Sequence, residues 1–224
     1  APLETLPILY RDERLVVVDK PSGLLVHRSP IDRHETRFAV QIARDQLGQR
    51  VYTVHRLDKG TSGALAFALD PGTAREYMAA FARRDVEKTY LALVRGWPPP
   101  QGIVERPLSA VEDDRIAPQS AEPREARTAF TRIATFELPL RVDRYPTSRY
   151  ALVQLSPLTG RRHQLRRHLA GESHPIVGDS TYGKGRHNRL FREIFGVQRL
   201  LLACTRLQFA AMGQRAALRV DAPL

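Results

Sequence analysis

Short apolar runs, each soon stopped by a glycine, a proline or a charged cluster, recur along this chain and do not alternate with helical stretches. Ile8-Leu9-Tyr10, Leu15 to Val18, Val51 to Val54, Ala64 to Leu69, Lys88 to Val94, Thr128 to Phe136, Tyr150 to Leu155, Leu200 to Phe209 and Ala216 to Val220 read as strands. Pro21-Ser22-Gly23 makes a turn, after which Leu24-Leu25-Val26 resumes an extended run. Three helices are expected. One runs from Thr36 to Leu47 and is closed by Gly48. The second is capped by Asp70 and opens on Pro71, with Ala74, Tyr77, Met78 and Phe81 on its core face. The third runs from about Arg162 to Ala170, with Gly171 as its stop. Without a βαβ rhythm, the pattern predicts an α+β fold: a largely antiparallel mixed β-sheet with flanking helices and loops. Trp97 to Pro100 breaks the chain, and Glu112 to Glu125 reads as a surface loop or hairpin tip. No repeat or linker divides the 224 residues, so a single domain with no separate N-terminal module is expected.

Charge narrows the partners. Lys and Arg number 35 against 24 Asp and Glu, a formal net charge of +11. A surplus of this size favours polyanions: nucleic acid first, an anionic membrane second. Nine basic residues face three acidic ones between Ser156 and Leu200, most of them arginines suited to bidentate phosphate contacts. This localisation favours a phosphate-binding face over a diffuse bias. Cys204 is the lone cysteine, so no intrachain disulfide can form. No apolar run approaches the ~20 residues that span a bilayer. Ala1 to Tyr10 lacks the basic-then-apolar order of a signal peptide, and a cytoplasmic location is expected.

The stretch His55-Arg56-Leu57-Asp58-Lys59-Gly60-Thr61-Ser62-Gly63 joins two predicted strands and sets one carboxylate between two cations. Taken alone, Asp58 is better explained as a turn or capping residue than as a catalytic one. Neither His163 and His168, five apart, nor His55 shows zinc-type spacing, so no metal site is expected.

This stretch resembles, position by position, the HRLDxxTSG motif of the RluA-class pseudouridine synthases. Lys20-Pro21-Ser22-Gly23-Leu24 with Val26-His27, Lys88-Thr89-Tyr90, Thr159-Gly160-Arg161-Arg162-His163-Gln164-Leu165-Arg166, and His174 to Asp179 with Tyr182-Gly183 match the family's other elements in the family's order. Within the class, three stretches resemble the TruC-type subfamily, which acts on tRNA at uridine 65. These are Val26 to Ser29 with Asp32-Arg33, Arg144 to Tyr150, and Gly160 to Leu169. Relatives often carry Leu-His-Ala where this chain has Leu202-Ala203-Cys204.

The resemblance implies an isomerase that breaks the N1–C1′ bond of uridine, turns the base and rejoins it at C5, with no cofactor. It implies Asp58 as the catalytic carboxylate, attacking covalently or stabilising a cationic sugar. Arg166 is implied as the permanent cation that keeps Asp58 ionised, its other reading being one more phosphate contact. With Arg162 four residues earlier, the two would share a helical face. Tyr90 is implied as a stacking platform for uracil, otherwise a half-buried strand aromatic. Arg56 would fill the place of the flipped base, otherwise a surface cation. His55, Arg161, Arg162, Arg167 and Lys88 join the RNA-binding set, and Leu202 is either an apolar floor or a core leucine. The expected partner is tRNA, gripped by a monomer in its acceptor or T-stem region. A same-class synthase acting on ribosomal RNA and a non-catalytic RNA-binding or RNA-folding protein are the alternatives.

Overall fold

The computed structural model describes residues 4–28, 34–109, 122–212 and 215–224. Their elements run β1 (Ile8–Arg11), β2 (Leu15–Lys20), α1 (Ala39–Leu47), β3 (Tyr52–Thr53), β4 (Ser62–Ala68), α2 (Pro71–Arg83), β5 (Val86–Arg95), β6 (Gln101–Glu105), β7 (Arg127–Leu138), β8 (Ser148–Pro157), α3 (Gln164–Gly171), α4 (Gly185–Phe195), β9 (Leu202–Phe209) and β10 (Leu218–Asp221). The α+β expectation holds. Nearly all pairings are antiparallel, and the short pairing of β4 with β9 is parallel. The chain divides into two compact units, Ala1–Lys88 with Ala203–Leu224, and Thr89–Leu202.

In the first unit β2 lies between β1 and β4, in register from Leu15 opposite Ala68 to Lys20 opposite Gly63. Val16, Val17 and Val18 are buried in sequence, as is every residue of β4, so both faces of these strands are covered. Gly63 marks the closest approach: its φ is 104°, and a Cβ there would sit 2.1 Å from the Cys204 carbonyl oxygen. Only glycine fits where β4 meets β9. Helix α2 begins as expected, with Asp70 Oδ1 accepting the Thr73 N–H at 2.8 Å and Pro71 in the first turn. Its buried face is Thr73, Ala74, Tyr77 and Ala80; Met78, expected in the core, is 54% exposed. One residue beyond Tyr77, Met78 lies ~100° round the helix and points outward.

Helix α1 starts at Ala39, later than Thr36, and ends at Gly48 as expected. The Leu24–Val26 run does not become a strand. Leu25 makes one bridge to Phe38, and the carbonyls of Leu25 and Val26 accept the Ala39 and Val40 N–H groups at 2.8 and 3.0 Å. The segment caps a helix that has no capping side chain.

In the second unit β8 pairs with β5 and β7, and β7 with β6. Two elements were not foreseen. Strand β6 follows directly on the Trp97–Pro100 break. Helix α4 is basic and amphipathic, and it seats Phe191 against Tyr150 and Val177. Most of the Glu112–Glu125 stretch, predicted as a loop, lies outside the described residues. No helix among the described residues is long and apolar enough to cross a membrane. Replacing the α2 cap, Asp70→Ala, is expected to destabilise the protein by ~1 kcal/mol, read as a lower urea midpoint with an unchanged far-UV spectrum.

Candidate active site

The expected site residues are divided between the two units. Asp58, Arg56, His55 and Lys88 belong to the first; Tyr90, Arg161, Arg162, Arg166, Arg167 and Leu202 belong to the second. In the first unit the chain leaves β3, runs through the charged stretch and enters β4. Leu57 is buried between exposed Arg56 and half-buried Asp58, so one apolar side chain anchors the run at its centre. A tight turn follows, closed by Thr61 N–H donating to the Asp58 carbonyl at 3.0 Å.

The Lys20–Leu24 segment pins this turn. Lys20 is 0% exposed, and its Nζ donates to the carbonyls of Pro21 (2.9 Å), Leu24 (2.7 Å) and Lys59 (3.2 Å). The Gly23 N–H also donates to the Lys59 carbonyl, at 2.8 Å, and Ser22 Oγ to the Gly60 carbonyl at 2.6 Å. Gly23 reaches this contact with φ at 88°. On the solvent side Lys59 pairs with Glu35 at 2.8 Å. Two signatures distant in the sequence are thus one structural device: the first holds the backbone of the second.

His55 supports the same loop from within. Its ring stacks on Phe81 with centroids 4.4 Å apart, and its Nε2 accepts the Ala66 N–H at 2.9 Å. An accepting Nε2 carries no proton, and burial pushes the imidazole down to about 3, with the charge of Lys88 acting in the same direction. Burial also lowers the Lys88 ammonium, while Cys204 acts in the opposite direction. His55 is therefore engaged in holding the loop onto β4.

In the second unit Tyr90 is buried on β5, opposite Leu155 of β8. Leu202 is also buried, at the start of β9. Arg166 lies on α3, where its Nε and Nη2 form a fork with Asp179 at 2.8 and 2.9 Å. Asp179 is buried, and its Oδ1 also accepts the N–H groups of Thr181 and Tyr182 at 2.9 and 3.0 Å. Burial would raise this carboxyl, but the Arg166 and backbone hydrogen bonds outweigh it and hold the group below the usual aspartate value. The Arg166 guanidinium also lies over the Tyr182 ring, 5.1 Å from its centroid, and the Tyr182 hydroxyl meets His163 Nδ1 at 3.0 Å. The plane of Arg166 is set from two sides. In the sequence, Asp179 and Tyr182 stand out only by their place in the segment that matches the family, and that place is the signal for this role.

Helix α3 begins at Gln164, so Arg162 precedes it and does not share a helical face with Arg166. His163, in left-handed backbone with φ at 52°, separates the turn from the helix. Gln164 fixes that turn: its Oε1 accepts Thr159 Oγ1 (2.6 Å) and the Arg161 N–H (3.0 Å), and its Nε2 donates to the Arg127 carbonyl (2.9 Å). Arg161 Nε donates to the Glu125 carbonyl at 3.0 Å and Arg167 Nη1 to the Ser109 carbonyl at 2.9 Å, so both arginines hold backbone. His168 is fully buried between Thr128 Oγ1 and the Arg106 carbonyl, a packing role.

Residues 14–171 match the RNA pseudouridylate synthase family. The chain belongs to this family. It is 51% identical over 207 residues, 91% of this chain and 85% of the relative, to a protein named tRNA pseudouridine synthase C from Vibrio cholerae. It is 49% identical over 208 residues, 92% of this chain and 86% of the relative, to the protein of that name from Pasteurella multocida. Among solved structures, human RNA pseudouridylate synthase domain containing 1 superposes with a TM-score of 0.76 at 27% identity, covering 100% of this chain and 85% of the human one. The RluA-class resemblance drawn from the motifs is thereby confirmed.

Two outcomes follow from this geometry. Asp179→Asn removes one partner of a buried ion pair and is expected to destabilise the protein by ~3 kcal/mol in urea unfolding. His55 gives a pH signature. Its folded-state value, about 3, lies below the ordinary 6.5, so on acidification the unfolded chain takes up a proton that the folded chain refuses. Stability is then lost progressively as pH falls from 6.5 towards 3. The urea midpoint of His55→Gln should fall less over that window than that of the wild type.

Proposed function

We propose that this chain isomerises a uridine in tRNA to pseudouridine, in the acceptor or T-stem region at position 65, with Asp58 as the essential carboxylate. The observation that carries this reading is the near one-half identity, over nine-tenths of the chain, to proteins named tRNA pseudouridine synthase C. The family match crosses both compact units, which supports the whole chain acting as one catalytic domain. It works as a monomer in the cytoplasm.

The reaction sets the demands. The N1–C1′ bond breaks, the uracil turns, a C5–C1′ bond forms, N1 gains a proton and C5 loses one. The atoms of uridine balance without an external oxidant or reductant. A carboxylate that attacks, or that faces a developing cationic sugar, must remain ionised and stay in place while the base moves. The pinned turn around Asp58 supplies the fixed position. Arg166 supplies the permanent positive charge, its plane fixed by Asp179 and Tyr182. Tyr90 acts as the stacking platform for uracil and Leu202 as the apolar floor. Arg56, exposed beside the turn, enters the stem as the base leaves it. Arg162 and Lys88 contribute charge to the RNA-binding face, together with donors on Arg161 and Arg167 beyond those used on backbone.

Tritium release from a tRNA transcript carrying 5-tritiated uridine tests the proposal. The wild type should release one equivalent per modified site, and a transcript with cytidine at position 65 should release none. Asp58→Asn should slow release by at least ~10³-fold while RNA affinity stays within about threefold. Release from ribosomal RNA with none from tRNA would overturn the substrate assignment. Full release by Asp58→Asn would overturn the mechanism.

A further inference from the structure

A cavity of about 340 Å³ lies in the first unit, lined by Arg28, Phe38, Val40, Gln41, Arg44, Arg50 and Val51. None of these residues belongs to the proposed catalytic set. Two chain segments and one helix face build it. Helix α1 turns Ala39, Ile42 and Ala43 into the core, which leaves Val40, Gln41 and Arg44 on the opposite face. The Leu25 and Val26 carbonyls that cap α1 bring Arg28 to one side. Gly48, in left-handed backbone, turns the chain so that Arg50 and Val51 close the other side.

The arginines are held in a way that suits an anion. The Arg28 guanidinium lies 5.8 Å from the centroid of the Phe38 ring, and that of Arg50 lies 5.0 Å from the Tyr52 ring. A ring face attracts the guanidinium without neutralising it, so the charge stays available to an incoming anion. Among the described residues neither has a carboxylate partner, whereas Arg44 pairs with its neighbour Asp45 at 2.9 Å. The remaining walls, Phe38, Val40 and Val51, are apolar. Two unneutralised forks beside an apolar wall fit a phosphate together with the sugar that bears it.

We propose that this pocket is a docking site for a backbone phosphate of the RNA substrate, gripped by Arg28 and Arg50 apart from the reacting uridine. The inference rests on the RNA-modifying reading above. Continuity favours substrate RNA over a free nucleotide. The segment whose Lys20 and Gly23 pin the Asp58 turn runs on to His27 and Arg28. His27 in turn lies close enough to Arg56 for that charge, after burial, to lower its pKa. The pocket and the Asp58 turn are thus served by one continuous stretch of backbone from Lys20 to Arg28.

The test measures tRNA affinity by fluorescence anisotropy across salt, and turnover by tritium release, for the full chain and three variants. Arg28→Ala/Arg50→Ala should weaken tRNA binding ~10-fold at 0.1 M salt and lower the slope of log affinity against log salt by about 1. The rate at saturating tRNA should stay within twofold of wild type. Arg28→Lys/Arg50→Lys, which keeps the charge, should restore the slope and serves as the folded control. Arg75→Ala, on the exposed face of α2, removes one charge elsewhere and should change neither quantity. If the double alanine variant binds tRNA like Arg75→Ala, the pocket is no RNA site. If inorganic phosphate or adenosine monophosphate protects the wild type against unfolding through these arginines while tRNA affinity is unmoved, the pocket serves a free nucleotide and the proposal fails. A wild type that binds tRNA tightly but releases no tritium would sink the catalytic reading. Weakening of that same binding by the double alanine variant would still uphold the pocket.

Discussion

The ammonium of Lys20 is the tie that joins two loops of the first unit. Burying a cation is strongly unfavourable unless its hydrogen-bonding capacity is met. An ammonium has three donors, and here three carbonyls receive them: Pro21, Leu24 and Lys59. Two of these carbonyls belong to the turn that follows Lys20, and the third lies 39 residues further on, next to Asp58. Neutral side chains could fill the same volume, but none could gather three backbone oxygens from two segments at one point. The arrangement turns a sequence-distant pair of loops into a single rigid body around a carboxylate. Ser22 and Gly23 add two more bonds across the same gap.

A parallel logic holds in the second unit. Arg166 is useful as a permanent charge only if its plane is fixed, because a mobile guanidinium would pair with whichever anion approached. Asp179 removes that freedom by engaging two of its nitrogens, and the four donors on Asp179 hold its carboxyl below the usual aspartate value. The pair is buried, so its attraction is little screened, while the extra backbone bonds offset the desolvation of both ions. In each unit, one buried ionic group acts on backbone or on a second charge and fixes the segment around it.

Much of the fold was legible because strand and helix signals were local. Asp70-Pro71 opened α2 and Gly48 ended α1, each for reasons of backbone chemistry that sequence displays directly. The motif positions were legible too, since Asp58, Tyr90 and Arg166 sit in strings that few families share. What sequence did not disclose was the direction of interactions. Leu24–Val26 has strand composition, yet its carbonyls serve a helix that begins thirteen residues after Val26. Met78 follows the apolar spacing but falls on the wrong side of Tyr77. Helix α4 escaped notice because its burial falls on His187 and Phe191 alone, among arginines. His55 and Arg161 look like RNA contacts in a basic string, and only tertiary partners show them holding Ala66 and Glu125.

That last distinction changes what the net charge of +11 means. Lys20 spends its charge on backbone carbonyls, and Arg166 on Asp179. Arg161 and Arg167 direct donors to carbonyls that flank the 110–121 segment. A cation already bonded to the protein releases fewer counterions when RNA binds, because its field is partly answered before the phosphate arrives. The salt dependence of binding is therefore set by the arginines that face solvent with no carboxylate partner among the described residues, such as Arg28 and Arg50, and not by the surplus counted along the chain. A basic composition points to a polyanionic partner, but the number of phosphates held is decided by which charges the fold has left unanswered.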